Sequence, residues 1–461
     1  MRRLLIGVVT VLAVLLAGCS TRSDSKNAGT EDKEPAKASA SAAAAGGADF
    51  GTLKDVCGKG ETKDGSTQGV TAKDIKTGVF TDVGFNKTPD FVDAAKVFTS
   101  WCNDNGGING RKLTPVTHDA KLLEVRQRMQ QACKEDFALV GGAAALDGLG
   151  VKDRLKCLLP NFAAQSSLPP AIGSDLQVVG SGPYADYFQY AGLYKWLIDE
   201  KYPSSAKSVG IISGDSPVTK MMTAQFKESI AQLGGKVSYT ELYPATGVSD
   251  WTPYAQSIKN KKVKGLVFLG DFSSLAKLEQ SLTSLGYAPD WIDSNSNSYG
   301  DPFVKLAGSA LKTQHNYAEL FATAPLETSS PTTDKIKQLY AKYAPDAKVS
   351  YLSLRAFASW LLFATSARDC AELTRTCVHE NATKNTGWTA GGIQAPFDLS
   401  KLQTPDTCYS IVEATPEGWK PADFKPDKGS YRCDAPAVKY RGKYVEPATL
   451  ADVGKSMSDV K

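Results

Sequence analysis

The stretch CNDNGGINGRKLTPVTHDA, Cys102 to Ala120, decides the architecture. Just before and into it, Phe91, Ala94, Ala95, Phe98, Trp101 and Cys102 recur at helical spacing, which gives a helix with one apolar face for packing on a sheet. Asn105-Gly106-Gly107 ends that helix, because the residue after a helix commonly takes positive φ, which glycine adopts without a steric penalty. Lys112 to Thr117 then reads as a strand. A phosphate-cradling loop follows a strand and precedes a helix. Here the order is reversed, so these glycines are a helix stop at the end of the sheet away from any ligand.

The same alternation continues on both sides. Ile75 to Phe80 is an expected strand before a polar loop, Thr81 to Pro89. Leu122 to Asp136 is an expected helix, Phe137 to Val140 a strand and Leu158 to Ala163 another. A second set follows: helix Tyr184 to Glu200, strand Ser208 to Ile212, helix Val218 to Leu233, strand Lys236 to Leu242, helix Trp251 to Lys259, strand Lys264 to Leu269, helix Ser274 to Leu285 and strand Asp290 to Ser294. Such alternation is the pattern of right-handed crossover units, so the fold class is α/β with two mostly parallel, doubly wound sheets. After Leu311, helices Asp334 to Tyr343 and Tyr351 to Ala367 have no clear strand between them, and β-like pieces reappear in GGIQAPFD (391–398) and CYSIVEA (408–414). Helices lacking a sheet must cover another, so these helices are expected to return to the first domain and the later pieces to the second.

The first nineteen residues set the compartment. Arg2 and Arg3 precede an apolar run from Leu4 to Ala17, too short for an ordinary membrane span, which ends in Leu-Ala-Gly-Cys19. That ending looks like a lipoprotein signal with its lipobox, residues 1–19, which makes Cys19 the lipidation site. Several acyl chains on one cysteine hold a protein firmly to a membrane. Residues 20–49 are Ser, Thr, Ala, Gly and charged residues, too polar to bury a core, and read as a flexible tether. About 400 residues remain, enough for two domains. Formal charge is +4, or +2 without Arg2 and Arg3, a balance that does not point to nucleic acid.

Nine cysteines become eight once Cys19 carries lipid: Cys57, Cys102, Cys133, Cys157, Cys370, Cys377, Cys408 and Cys433. An even number outside the cytoplasm argues for disulfides, although eight cysteines allow 105 pairings. Proximity favours Cys370 with Cys377 and Cys408 with Cys433. With no Cys-x-x-Cys and no histidine at ligand spacing, neither a metal nor a cofactor is expected.

The residues NDNGGINGRKLTPVTHDAK (103–121) resemble the NAAGGINGRK…V..DD stretch of solute-binding proteins that serve ABC importers of branched-chain amino acids, amides and urea. LVGGAAALDG and LPNFAAQSS resemble the family's next two strand ends, and SVGIISGDSPVTKMMTAQFKESIAQLGGKV and GLVFLGDFSSLAKLEQSLTSLGY its second-domain units. The resemblance runs from about residue 70 to 420. It implies the type 1 periplasmic binding protein fold, two lobes joined by a three-stranded hinge. The first lobe is then 70–183 plus 314–388, the second 184–313 plus 389–420, with 421–461 a C-terminal tail. In that topology Cys133 pairs with Cys157, leaving Cys57 for Cys102.

Parallel sheets bind ligands beyond the C-terminal ends of their strands. Phe80, Thr81 and Asp82, then Ala143 and Ala144, then Gln165 and Ser166 are therefore expected on one wall of a cleft. Asp215, Asp271, Phe272 and Asn295 are expected on the other. Small residues at 143–145 would let backbone N–H groups approach an anionic or carbonyl group. Amino-acid binders of the family carry Ser-Ser or Ser-Thr donors and an acidic residue that meets the ligand ammonium. This chain has Ala143 to Ala145 and Asn295 or Ser296 at those places, with Asp215 and Asp271 as replacement charges or helix caps. The expected ligand is accordingly a small polar or amphipathic solute, an amino acid, amide or related compound, packed against Phe272 or Phe80. Its partner would be an ABC permease, or, for a sensor of the same fold, a signalling protein. An enzyme is the remaining alternative, a hydrolase for instance. His118, His315 and His379 are scattered, although the first two could approach the cleft, and no Gly-x-Ser-x-Gly or His-Glu-x-x-His occurs. The expectation is therefore a binding protein without catalytic residues.

Overall fold

The computed structural model describes residues 47–61, 67–244 and 246–461. The apolar leader, Cys19 and nearly all of the tether lie outside the described residues. The first sheet is built from β1 (Asp74–Thr81), α1 (Val83–Asn86), α2 (Asp90–Asp104), β2 (Lys112–Asp119), α3 (Val125–Glu135), β3 (Ala138–Val140), α4 (Val151–Lys156), β4 (Asn161–Phe162) and β5 (Gln177–Val178). Its strand order is β2-β1-β3-β4-β5, parallel throughout. The second part runs α5 (Ala191–Lys195), β6 (Val209–Gly214), α6 (Pro217–Gln232), β7 (Val237–Tyr243), α7 (Thr252–Asn260), β8 (Gly265–Leu269), α8 (Phe272–Ser284), β9 (Trp291–Asp293), α9 (Asp301–Ala307) and β10 (Asn316–Glu319). Then come α10 (Pro331–Tyr343), α11 (Tyr351–Arg368), α12 (Arg375–Thr383), β11 (Ile411–Thr415) and β12 (Gly418–Pro421). The second sheet is ordered β12-β11-β10-β9-β8-β6-β7, antiparallel only where β11 meets its neighbours. The fold is two α/β lobes with mostly parallel sheets.

The apolar face of α2 is buried as its spacing requires, and Phe98 stacks on Trp360 of α11 with ring centroids 5.6 Å apart. This contact carries α11 back onto the first sheet, where it packs on α2, β3 and β4. Gly106 and Gly107 end α2 with φ of +104° and +74°, and a Cβ on Gly107 would strike the Arg111 carbonyl. A side chain at Gly107 is therefore excluded twice, by backbone conformation and by space.

Three chain crossings run beside one another between the sheets, and the tail passes from the second lobe to the first as well. Ala324 and Ala395 donate to Ile393 and Ala322, Ser410 donates to Phe321, and Gln394 Nε2 donates to the Gly180 carbonyl. Disulfides join Cys57–Cys102, Cys133–Cys157, Cys370–Cys377 and Cys408–Cys433. The tail is ordered along both sheets' loops: Phe188 N donates to Val438 O, Asp175 N to Ala448 O and Arg375 N to Lys461 O.

Several expected elements differ. The helix expected at Tyr184 to Glu200 begins only at Ala191 and widens to π-type turns over Trp196–Lys201. Residues 186–188 instead bond to the tail at 438–440, a partner no local pattern reveals. α3 starts at Val125, because Lys121 and Leu122 take positive φ, and β4 is two residues long. The strand β10 and the helix α12 are additions to the elements that the sequence pattern predicts. Because β10 lies in the second sheet, the return to the first lobe falls after Glu319 rather than at 314. GGIQAPFD forms only isolated bridges, Gln394 to Thr323 and Phe397 to Trp388.

Candidate functional site

The C-terminal strand ends of both sheets open on one cavity of about 570 Å³, a size typical of small-molecule sites. The loops after β1, β3 and β4 bring Asp82, Ala143, Ala144, Gln165 and Ser166 to its wall. The loops after β6, β8 and β9 bring Asp215, Asp271 and Asn295. Phe80, Thr81 and Phe272 do not line it. Phe80 is turned into a separate cluster with Met129 and Leu139, and Phe272 packs half-buried on the main core, so neither aromatic ring is available to a solute there.

Most of the polar wall is already engaged. Asp82 accepts hydrogen bonds from Leu122 N and Ala145 N, both at 2.7 Å, and so clasps two loops together. Ala143 N donates to Phe80 O at 3.0 Å. Two of the three N–H groups expected to greet a ligand at 143–145 are therefore engaged within the protein. Ser166 Oγ accepts from Gln177 Nε2 at 2.6 Å. Asp271 caps α8 through Ser274 N at 2.9 Å; burial raises its carboxyl, but hydrogen bonds from Ser273 and Ser274 outweigh this and hold it below the usual range. Asp215 pairs with Lys220 at the exposed rim. Asn295, with φ of +56°, accepts from Asn297 N, and beneath it burial pushes Asp293 up to about 6 despite a hydrogen bond from Tyr194.

The apolar wall comes from segments that local periodicity does not single out. Phe188 and Tyr190 of the first crossing pack on Phe226 of α6 at 5.0 and 5.3 Å between ring centroids, and Tyr190 on Phe321 of the second crossing at 5.0 Å. Met221 and Met222 of α6 and Tyr440 of the tail complete it. The signal is present as GPYADYFQY (182–190), where four aromatic residues follow a Gly-Pro pair, a turn or loop marker. Arg355 of α11 is also in the wall. Its guanidinium donates to Ala164 O at 2.9 Å, to Ser181 O at 2.9 Å, to Gly182 O at 3.0 Å and to Ser181 Oγ, and lies 5.9 Å from the Tyr351 ring.

Neither His118 nor His315 reaches the cavity, and among the described residues its wall contains no histidine. His118 is buried with Nε2 2.6 Å from Asp136 Oδ2, and burial raises that carboxyl. His118, Asp136 and Glu135 have ligand atoms within 4.8 Å of one another, but Glu135 is paired with Lys76 at 2.5 Å. Among the described residues no helix is long and apolar enough to cross a membrane.

A family model described as periplasmic binding protein matches residues 76–419. No curated protein matches the sequence significantly. Solved structures share the fold. A fatty acid ABC transporter substrate-binding protein from Thermomonospora curvata aligns with TM-score 0.66 and 17% identity over 83% of this chain and 96% of its own. A leucine-binding protein from Thermotoga maritima gives 0.63 and 13% over 76% and 97%. A branched-chain amino acid transporter substrate-binding protein from Streptococcus pneumoniae, solved with isoleucine, gives 0.61 and 18% over 76% and 99%.

Proposed function

Because the chain belongs to the periplasmic binding protein family, we propose that it captures a small polar or amphipathic solute between its lobes and delivers it to an ABC permease. The observation that carries this reading is the cavity at which the strand ends of both sheets and the first two crossings meet. A solute there touches both lobes, so it binds best when they are closed, and closure is the state a permease can read. The crossings at 320–324 and 393–395 are the bending elements.

The protein acts outside the cytoplasm, held to the outer face of the cell membrane by lipid on Cys19. It acts as a binding protein, in keeping with the periplasmic binding protein family model that matches residues 76–419. Structural neighbours named for fatty acid and for isoleucine bracket the ligand chemistry, and the aromatic and methionine wall leans towards an apolar body.

The test is solution scattering with and without a ligand found by a thermal-shift panel of amino acids, amides and small acids. A smaller radius of gyration on binding supports the reading, and an unchanged one with saturating ligand rejects it. Replacing Cys19 with Ser should release the protein from membranes into the medium.

A further inference from the structure

Resting on the solute-binding reading, we propose that the ligand is an anion with an apolar body, a medium-chain or aryl-alkyl carboxylate, and that Arg355 supplies its counter-charge. Among the described residues Arg355 is the only basic side chain in the cavity wall, and it is 6% exposed. Among the same residues no carboxylate lies within 4 Å of it; its partners are three carbonyls and one hydroxyl. Those dipoles occupy four of the five guanidinium N–H groups and leave the net charge uncancelled. Asp406 senses this charge only from farther off, without an ion pair; burial raises that carboxyl to about 6. A buried charge is costly without an opposite charge beside it, so a cationic wall facing the cavity is matched by an anionic ligand.

The opposite sign is poorly served. Asp82 is held by two backbone N–H groups, Asp271 caps a helix and Asp215 is paired with Lys220, so among the described residues each of these wall carboxylates already has a partner. Two long helices, α6 and α11, present their first turns to the cavity, Pro217 to Thr219 and Tyr351 to Leu352, and helix N-termini favour negative charge. From the second lobe, Ser296 lines the same space; it is 3% exposed, and although the Tyr190 side chain is beside it, its hydroxyl forms no hydrogen bond of acceptable geometry. The rest of the wall is Phe188, Tyr190, Phe226, Met221 and Met222. An amino acid would leave both the apolar wall and its own ammonium unmatched.

The test is titration calorimetry on the full mature protein with octanoate, decanoate and 4-phenylbutyrate, each against its primary amide, and with L-leucine. The expected result is that at least one acid binds tenfold or more tightly than its amide, and that leucine binds more weakly than that acid. In the Arg355→Gln variant the acid-to-amide affinity ratio should fall to about one, whatever happens to the affinity of either compound. Arg355 also braces residues 164, 181 and 182, and the wild-type acid-to-amide ratio tests the charge without any variant. An amide that equals its acid, a preference that survives in Arg355→Gln, or an absence of binding by every acid overturns the inference. Binding of leucine alone removes the ligand class and leaves solute binding standing.

Discussion

Phe188 and Phe226 meet edge to face, ring centroids 5.0 Å apart and planes at 85°, where the first crossing segment lies on α6. One ring belongs to a chain crossing and the other to a helix of the second lobe, so the contact fixes the cavity wall to the element that carries the chain between lobes. Phe226 is nearly fully buried. Phe226→Ala should cost about 3–5 kcal/mol of stability in urea unfolding and should weaken ligand binding in the fraction that remains folded.

Asp82 acts as a clasp at the other wall. Asp82→Ala leaves Leu122 N and Ala145 N without their acceptor, and the expected loss is about 1–3 kcal/mol. Because Ala145 lines the cavity, the ligand dissociation rate should rise as well, which stopped-flow fluorescence can follow.

Burial pushes Asp293 up to about 6, from 3.8 in the unfolded chain, with the Tyr194 hydrogen bond only partly opposing it. The folded state therefore holds this proton more tightly than the unfolded state does. Its contribution to stability is present below pH 3.8 and declines as pH rises towards about 6. Asp293→Asn should flatten the stability difference between pH 4 and pH 7 relative to wild type. Equal slopes in the two proteins would mean that Asp293 is ionised in both states.

The tail is predicted to hold α6. Glu228 accepts from Arg441 N, from Gly442 N at 3.1 Å and from Tyr444 Oη at 2.6 Å, while Tyr440 lines the cavity. Farther on, Leu450 N donates to Asp175 Oδ2 at 2.7 Å in the first lobe. A chain ending after residue 435 should bind ligand at least several-fold more weakly and show faster amide exchange in α6. Unchanged exchange there would contradict a bracing role.

Cys133–Cys157 closes a separation of 24 residues between α3 and the residue after α4. The double replacement by Ser should lower stability by about 3 kcal/mol, measured by thermal or urea unfolding under oxidising conditions.

Where the fold was legible, a local rule and the tertiary demand agreed. The apolar face of α2, its glycine stop and the strand that follows are all set within a short stretch of chain, and the structure places each of them as read. The four disulfide pairs also followed, two from proximity and two from the resemblance to a known topology. Tyr184, Tyr187 and Phe188 misled because their i, i+3, i+4 spacing mimics a helical face. They are instead held by a stretch of the tail, residues 438–440, far along the chain, and sequence periodicity carries no trace of such a pairing. The site was half legible for the same reason. Strand ends identified the loops, but Arg355 sits on α11, a helix buried nearly all round, so no apolar stripe marks which side faces the cavity. Phe80 was misplaced because its strand is buried on both faces, and alternation cannot tell the cavity side from the α3 side.

Whether the two lobes enclose a specific solute is tested by mass spectrometry of the small molecules released on denaturing protein purified from its native host. One compound, an apolar-bodied acid, is expected at close to one per protein molecule from wild type, and its loss is expected in a variant with the cavity wall disrupted at Phe188 and Phe226. Release of no compound above background, together with no stabilisation by any member of the solute panel, would mean that the lobes enclose no such solute.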